Sequence, residues 1–457
     1  MNQDTGGSGA SLSVLSPTAI LGYGFPEASL ARGLARRPQA IAVDAGSTDP
    51  GPYYLGAGKS FTSRKAVKRD LSLMLRGALD LGIPLLVGSA GGAGAAPHLA
   101  WTREILLELA REGSLRFRLG VIPADIPPAT LKAALRTGRV RPMPCAPALS
   151  EADVDASTHL VAQMGHEPLV AALDAGAQVV LCGRAYDPGP FAAPAIRAGF
   201  DPGLSLHMGK ILECAAIAAT PGSGSDCVLA TLRGDGFELE TLSEARAFTT
   251  VSAAAHSLYE KSDPYELPGP GGSLDLRDTA YQDLGGGRVR VSGTRFSPAP
   301  YTVKVEGARK VGHRTISIAG VRDPILIGQV DAVLETVRKQ VLASTGSDAR
   351  VLFHVYGKDG VMGPLEPQRD APAHELGIVI ETVHAEPAEA DTVCSLVRST
   401  LLHYGYPGRI STAGNLALLY SPSDVSCGEV YEFSVYHLLE VDDPRALFPA
   451  RLEEVGQ

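Results

Sequence analysis

The sequence predicts an α/β protein in which the N-terminal half forms an open, mostly parallel, doubly wound sheet and α+β segments follow. Short apolar runs such as Ala40 to Asp44 lack polar alternation, which is typical of parallel strands covered on both faces. Helical patterns separate these runs, and strand, helix, strand in succession indicates right-handed βαβ units. The chain has 457 residues, about three times the common domain size, so we expect several domains.

The predicted sheet domain covers residues 15–230, after a flexible lead-in of about 14 residues. Its helices are expected at Val67 to Leu81 and at Ala100 to Glu112, where apolar side chains recur at helical spacing. The predicted strands of this domain are Thr18 to Leu21, Ala40 to Asp44, Pro84 to Val87, Phe117 to Ile122 and Gln178 to Cys182.

Polar, glycine-rich stretches near residues 221–225 and 344–347 divide the remaining chain. Short alternating runs predict an α+β middle domain at 231–345 and a small α/β domain at 346–457. The elements expected here are strands at Phe237 to Leu242, Arg288 to Ser292, Tyr301 to Val305, Val351 to Tyr356, Gly377 to Val383 and Glu429 to Leu439, and a helix at Ala388 to Tyr404.

Composition and charge exclude several classes of protein. The formal net charge of −9 gives no general attraction to phosphate backbones, so we expect no nucleic acid partner. No apolar stretch is long enough to span a bilayer, and the N-terminus lacks an export signal, so we expect a cytoplasmic protein without a membrane partner. The six cysteines are dispersed without a C-x-x-C pair, and the histidines lack ligand spacing, so no metal site is predicted.

Open α/β sheets bind ligands beyond the carboxyl ends of their strands, so the loops after predicted strands are the candidates for function. Gly22-Tyr23-Gly24 followed by Asp44 approaches a dinucleotide fingerprint, but Glu27 stands where the third glycine belongs. A tight turn and a strand-end carboxylate explain the same residues. We therefore predict no nicotinamide cofactor, and no other cofactor beyond CoA as part of a substrate.

A second loop, Gly88 to Gly94, precedes the helix that contains Trp101. Its glycines let backbone N–H groups approach an anion, and the helix N-terminus adds a favourable dipole. A purely structural turn is the alternative, with His98 an ordinary helix residue rather than a proton carrier. The residues predicted to bind substrate here are Ser89, Gly91, Gly92, Gly94 and His98.

A third loop, Cys182 to Pro188, places Arg184 three residues before Asp187. An arginine and an aspartate at this spacing offer a bidentate clamp for a substrate carboxylate and a possible acid or base. We predict that Arg184 binds substrate and that Asp187 is catalytic. An internal pair that only shapes the loop is the alternative.

The segment Leu206 to Cys214 is interpreted as the start of a helix with His207, Lys210 and Cys214 on one face. His207, Lys210 and Glu213 form the best acid/base constellation in the chain, and we predict that they are catalytic. The alternatives are a surface pair of Lys210 with Glu213 and a core position for Cys214.

Two later stretches are also candidates. His256 to Tyr265 mixes carboxylates, aromatic rings and a histidine, and Gly408 to Asn415 places an arginine, hydroxyls and an amide between glycines. Turn chemistry explains each of them equally well. The residues predicted to bind substrate are Glu260, Asp263, Arg409 and Asn415.

Four segments resemble the acyclic terpene utilisation family, AtuA, and the resemblance covers nearly the whole chain. They are Leu21 to Phe25, Cys182 to Asp187, His207 to Cys214, where the spacing is three residues longer, and Leu258 to Pro264. Residues 346–457 are similar to the small α/β domain that often accompanies AtuA as a separate chain, which implies a fused form. The family is associated with bacterial breakdown of citronellol and geraniol through acyl-CoA intermediates, which implies an enzyme acting on a carboxylic acid or its CoA thioester.

The leading hypothesis is a cofactor-independent lyase or hydratase that acts on a branched or unsaturated carboxylate or acyl-CoA by acid/base chemistry. A hydrolase or acyl transferase with Cys214 or Ser89 as nucleophile is the second hypothesis. A non-catalytic ligand-binding subunit is the third. We expect a homo-oligomer whose partner is a small carboxylate or acyl-CoA.

Overall fold

A computed structural model describes residues 11–46, 50–144, 146–259 and 263–456. The chain divides into two compact units, the first of Met1–Arg309 with Phe433–Gln457 and the second of Lys310–Glu432. The division into three segments at residues 230 and 345 stays a prediction. Within the described residues, no helix combines the length and apolar character needed to cross a membrane.

The strands of the described residues are numbered in chain order. They are β1 Ser11–Ser16, β2 Ala40–Asp44, β3 Leu85–Gly88, β4 Phe117–Ile122, β5 Val140–Pro142, β6 His159–Ala162, β7 Val179–Cys182, β8 Val228–Arg233, β9 Gly236–Thr241, β10 Glu266–Gly269, β11 Gly272–Asp275, β12 Ala280–Gly285, β13 Arg288–Ser292, β14 Arg295–Pro298, β15 Thr302–Val321, β16 Arg350–Tyr356, β17 Leu376–His384, β18 Ala417–Leu418, β19 Asp424–Glu440 and β20 Arg451–Val455.

The helices are numbered in the same way. They are α1 Glu27–Ala35, α2 Tyr53–Ala57, α3 Arg64–Leu81, α4 Ala96–Gly113, α5 Pro128–Arg136, α6 Glu151–Ala156, α7 Glu167–Asp174, α8 Gly189–Arg197, α9 Pro202–Leu212, α10 Thr250–Ser257, α11 Pro324–Ile327, α12 Val330–Thr345, α13 Pro387–His403 and α14 Pro444–Leu447, with 3-10 turns at Ala215–Ala218 and Gly363–Leu365.

The largest sheet of the first unit has the strand order β12-β13-β9-β8-β1-β2-β3-β7-β4-β20. The strands from β1 to β4 in this order pair in parallel, as predicted for a βαβ arrangement. Antiparallel strands extend the sheet on both sides, through β8 next to β1 and β20 next to β4. The α/β class is therefore confirmed, whereas the mostly parallel, doubly wound arrangement is not.

β2, β3 and β7 are buried on both faces, which explains why they are apolar without alternation. Leu15, Ile41 and Val43 pack with residues of α1, α3 and α4 on one face. Their neighbours Val14 and Ala42 pack with residues of α5, α7, α8 and α9 on the other. Because β2, β3 and β7 contribute to two cores, the one charged side chain among them, Asp44, lies where its strand ends.

Two elements, a strand and a helix, begin at residues different from those that the sequence predicts. The first strand of the described residues is Ser11–Ser16, not Thr18 to Leu21, so residues 11–14 belong to a strand and not to the predicted lead-in. Thr18 instead lies in a turn, where its Oγ1 donates to the carbonyl oxygen of Gly224 at 2.9 Å. Helix α9 begins at Pro202 rather than at Leu206, because Asp201 caps it by accepting a hydrogen bond from the backbone N–H of Leu204.

The second unit is built around antiparallel strands. β17 pairs with both β15 and β16, and apolar residues of α12 and α13 form one core with these strands. The strands predicted at Val351 to Tyr356 and Gly377 to Val383 are confirmed to within one residue at each end. The helix predicted at Ala388 to Tyr404 is α13, shifted by one residue.

Candidate active site

The carboxyl ends of three parallel strands lie side by side in the first unit. Asp44 of β2 is aligned with Gly88 of β3, and Val87 of β3 is aligned with Leu181 of β7. The loops that follow these strands therefore meet at one edge of the sheet. They carry Ser89 and Arg184.

Arg184 is the centre of a buried hydrogen-bond network and is only 3% exposed. Its Nε donates to Glu306 Oε2 at 3.0 Å. Its Nη1 donates to Ser89 Oγ at 3.1 Å and to Asp187 Oδ1 at 3.0 Å. A guanidinium group tolerates such burial because carboxylates compensate its charge and accept its protons. The pair expected from the Arg184 and Asp187 spacing therefore forms, within a larger network.

The glycine loop after β3 lets the Arg184 loop approach closely. Gly91, Gly92 and Gly94 have φ values of 63°, 103° and 68°, which favour glycine. A Cβ atom on Gly94 would lie 2.1 Å from the backbone N of Arg184. The loop thus supports Arg184 directly, and its predicted binding of a substrate anion stays a prediction.

A carboxylate of the protein itself lies at the N-terminus of α4, where the sequence indicates an anion site. The backbone N–H of Ala96 donates to Asp125 Oδ1 at 3.1 Å. His98 is buried in the first turn of this helix, with Nε2 3.0 Å from the carbonyl oxygens of Tyr54 and Lys59. These contacts hold the segment around α2, and a substrate-binding role for His98 stays a prediction.

Asp44 is a buried carboxyl group beside this network. Its Oδ1 is without a hydrogen-bond partner among the described residues. Burial raises the pKa of Asp44 well above its ordinary value, and the charge of Asp187 raises it further, while Arg184 acts in the opposite direction. A carboxyl group in this setting keeps its proton at a higher pH than an exposed aspartate does, which is common among catalytic acids.

Lys210 and Glu213 lie at the C-terminal end of α9 and are both buried. Lys210 Nζ donates to Glu213 Oε1 at 2.5 Å. Burial alone would lower the pKa of Lys210, but the carboxylate of Glu213 outweighs burial and raises that pKa above its ordinary value. Lys210 is therefore a fixed cation rather than a base.

Electrostatic interactions connect this pair to the strand-end residues. Asp44 interacts with Asp187 and Glu213, and Lys210 interacts with Asp187. The structure therefore brings together three of the loops that the sequence singles out. We call the following residues the charged cluster: Asp44, Arg184, Asp187, Lys210, Glu213 and Glu306.

His207 lies on the same helix as Lys210 but has different surroundings. Its Nδ1 is 2.7 Å from Thr294 Oγ1, and its Nε2 is 2.8 Å from Ser257 Oγ. The ring of Phe237 packs edge-on against it at 5.4 Å. Both ring nitrogens are thus engaged, and we call His207, Ser257 and Thr294 the hydroxyl cluster. The catalytic role predicted for His207 stays a prediction.

His256 precedes Ser257 on α10 and is 7% exposed. Its ring stacks on Tyr259 with the centroids 5.5 Å apart, and the same tyrosine ring lies 5.5 Å from Lys210 Nζ. His256 Nε2 is buried without a hydrogen-bond partner among the described residues. Burial lowers the pKa of His256 to about 4, and the charge of Lys210 contributes. This histidine is therefore neutral at pH 7.

The other predicted residues make contacts of their own or lie outside the described residues. Glu260 is outside the described residues. Asp263 Oδ1 accepts a hydrogen bond from the backbone N–H of Tyr265 at 2.7 Å, which is turn chemistry. Arg409 and Asn415 belong to the second unit, where they line a groove of about 710 Å³. Asn415 Nδ2 donates to backbone carbonyl oxygens at the end of α13.

Sequence reasoning missed two members of the charged cluster. Asp44 had a signal, since an acidic residue ended an apolar strand, but it was interpreted as part of a cofactor fingerprint or as a strand-end carboxylate and not as a catalytic group. No local sequence pattern indicated Glu306. It lies in β15, where polar and apolar residues alternate, and it accepts a hydrogen bond from Arg184, which is 122 residues away in the sequence.

The two candidate nucleophiles lie close to the charged cluster without an activating base. Burial raises the pKa of the Cys214 thiol, and the charge of Glu213 raises it further, so a thiolate is disfavoured. Ser89 Oγ accepts hydrogen bonds from Arg184 and from the backbone N–H of Ala185. Neither donor can take a proton from it. Among the described residues, no group of three or more His, Cys, Asp or Glu side chains has the arrangement of a metal site.

One family model matches most of the chain. It is the model described as acyclic terpene utilisation family protein AtuA, and it matches residues 65–227 and 243–418. The matched residues include Arg184, Asp187, Lys210, Glu213 and Glu306 of the charged cluster, whereas Asp44 precedes them. Neither a curated protein nor a solved structure matches the chain.

Proposed function

The chain belongs to the AtuA family of acyclic terpene utilisation, and from this premise we propose that it is a cofactor-independent lyase or hydratase for a branched or unsaturated carboxylic acid or its CoA thioester. The observation that carries the proposal is the buried Asp44 carboxyl group, with its raised pKa, beside the ion-paired Asp187. Two carboxyl groups in unequal environments are the usual basis of an acid/base pair.

In the proposed hydration, Asp187 is the base and Asp44 is the acid. Asp187 takes a proton from water as the water oxygen bonds to the β-carbon of the conjugated double bond. The π electrons move toward the carbonyl group, which becomes an enolate oxyanion. Asp44 then donates its proton to the α-carbon, and the enolate returns to a carbonyl group. The side chain of Asp187 is 35% exposed, so water and substrate can reach it.

The fixed charge of Lys210 supports the enolate in this proposal. A preorganised cation in a site sheltered from water stabilises developing negative charge more strongly than it would in bulk solvent. Glu213 keeps Lys210 charged and in place through the 2.5 Å contact. Arg184 holds Asp187 through the 3.0 Å hydrogen bond to its Oδ1, and binding of a substrate carboxylate by Arg184 stays a prediction.

The test is incorporation of solvent deuterium at the α-carbon, followed by mass spectrometry. The probes are 3-methylbut-2-enoic acid, geranic acid and their CoA thioesters, together with the saturated 3-methylbutanoyl-CoA. We expect the wild-type protein to label or hydrate at least one of them, and Asp187→Asn and Asp44→Asn to lose about 100-fold or more of that rate.

Asp174→Asn is the matched control, because Asp174 pairs with Arg197 at the surface. It should keep the wild-type rate. Saturable binding of a probe without labelling or hydration would contradict the enzyme assignment and leave a ligand-binding subunit. A wild-type rate in Asp187→Asn would contradict the assignment of the base.

A further inference from the structure

Two buried polar atoms near Lys210 and Glu213 make no hydrogen bond with the described residues. They are Asp44 Oδ1 and His256 Nε2. Native interiors pair nearly all such atoms, because an unpaired buried polar group forfeits its hydration. Asp44 interacts electrostatically with Glu213, and His256 with Lys210, so both side chains lie within electrostatic range of the same ion pair. A bound molecule with polar groups would satisfy both.

His256 differs from the other buried histidines of the first unit. Their Nε2 atoms all have partners, which are two carbonyl oxygens for His98, the Ser257 hydroxyl group for His207 and the carbonyl oxygen of Pro147 for His437. A histidine that only fills space would be expected to make similar contacts. His256 is instead held by stacking on Tyr259 at 5.5 Å with an interplanar angle of 20°. Stacking fixes the plane of the imidazole ring and leaves Nε2 available.

The ring of Tyr259 contacts both His256 and the ammonium group of Lys210. Its ring stacks on His256 and also lies 5.5 Å from Lys210 Nζ. The same aromatic side chain therefore contacts a neutral imidazole and an ammonium group, and the charge of Lys210 acts on His256. Carbonyl compounds that develop negative charge are recognised by this combination of a neutral N–H donor and a fixed positive charge.

We propose that His256 Nε2–H donates a hydrogen bond to the carbonyl oxygen of the substrate and forms, with Lys210, the pocket for the enolate oxyanion. The ligand class is a carboxylic acid or thioester whose carbonyl oxygen points between His256 and Lys210. This assignment rests on the proposed function. A carbonyl oxygen selects the tautomer that carries the proton on Nε2, since only that tautomer donates from this atom.

The test compares His256→Phe with His256→Gln. Phenylalanine keeps a ring that can stack on Tyr259 but has no N–H donor, whereas glutamine restores a donor. With the thioester that the wild-type protein labels, we expect His256→Phe to lower kcat about 100-fold with less than a threefold change in KM. We expect His256→Gln to recover at least tenfold of that loss. Thermal unfolding checks that both variants are folded.

A second readout does not depend on turnover. Infrared difference spectra of a probe thioester labelled with carbon-13 at the carbonyl should show a shift to lower frequency on binding to wild type, because the donors polarise the C=O bond. This shift should shrink in His256→Phe. An unchanged shift together with an unchanged kcat would overturn the assignment of His256.

The two proposals can fail separately. If wild type labels a probe and Asp187→Asn does not, the proposed function stands whatever His256→Phe shows. If no probe is turned over but one binds with a carbonyl shift that depends on His256, the carbonyl pocket stands and the hydratase assignment fails. If none of the acids or thioesters binds, both are overturned.

Discussion

Two buried polar clusters contact helix α9 and its C-terminal end, and they differ in how their hydrogen bonds are satisfied. In the hydroxyl cluster, His207 uses both ring nitrogens on Thr294 and Ser257. In the charged cluster, Asp44 keeps a buried oxygen without a partner among the described residues and has a raised pKa. Burial of polar groups therefore does not by itself mark an active site. The charged cluster is favoured as the candidate site because its unsatisfied oxygen and the raised pKa of Asp44 occur beside the partly exposed Asp187.

Of the substitutions that test this difference between the clusters, removal of Arg184 should lower the free energy of unfolding most. Arg184→Met takes the compensating charge from the buried Glu306 and from Asp187. Breaking a buried pair in this way costs about 3–5 kcal/mol. We expect the lower end of that range in the free energy of unfolding, since Lys304 also pairs with Glu306 at 3.0 Å. Chemical denaturation measures it.

The matched control for Arg184 is Arg197→Met, which removes an exposed pair with Asp174. Exposed pairs of this kind contribute about 0–1 kcal/mol. Equal unfolding free energies for the two variants would mean that the charged cluster is as well solvated as the surface. That result would contradict the conclusion that the charged cluster holds buried charges whose pairing is costly to remove.

Replacing His207 should have an intermediate effect on stability and little effect on activity. His207→Leu leaves the hydroxyl groups of Ser257 and Thr294 with one partner fewer, at a cost of about 2 kcal/mol in the free energy of unfolding. Each hydroxyl keeps another contact, to Ala253 and Thr279 respectively. Turnover per folded molecule should stay near that of wild type. A fully folded variant without activity would instead make His207 the acid or base that the sequence predicts.

These clusters also show what the sequence could and could not predict. β2 and β4 were predicted with the bounds that the structure has, because fully buried parallel strands carry continuous apolar runs. β1 was missed since its serines alternate with apolar residues and its position depends on pairing with β2 and β8. Local pattern therefore predicts the centre of the sheet better than its first strand.

In the candidate active site too, residues close together in sequence were predicted and contacts between distant segments were not. Arg184 and Asp187 were predicted as a pair because they lie three residues apart in one loop after a strand. Lys210 and Glu213 were predicted together for the same reason. Glu306 was not, since only tertiary folding brings β15 to Arg184. For His207 the sequence showed a histidine near a lysine on a helix, but not the two hydroxyl groups from distant segments that surround it.

Asp44→Asn should have the smallest effect on stability and opposite effects on stability and activity. A carboxyl group whose pKa is raised by folding destabilises the folded state as the pH rises from the ordinary pKa to the raised one. Asparagine has a similar shape and carries no titrating proton, so the variant should be more stable than wild type at pH 8. The gain should grow as the pH rises above the ordinary pKa of an aspartate, about 4, and it should vanish near that pH. Thermal unfolding between pH 4 and pH 8 measures this gain in stability. Deuterium incorporation is measured alongside it and should be lost.

A variant less stable than wild type at pH 8 would show that Asp44 is held as a stabilising carboxylate. The charged cluster would then resemble the hydroxyl cluster as a satisfied part of the core.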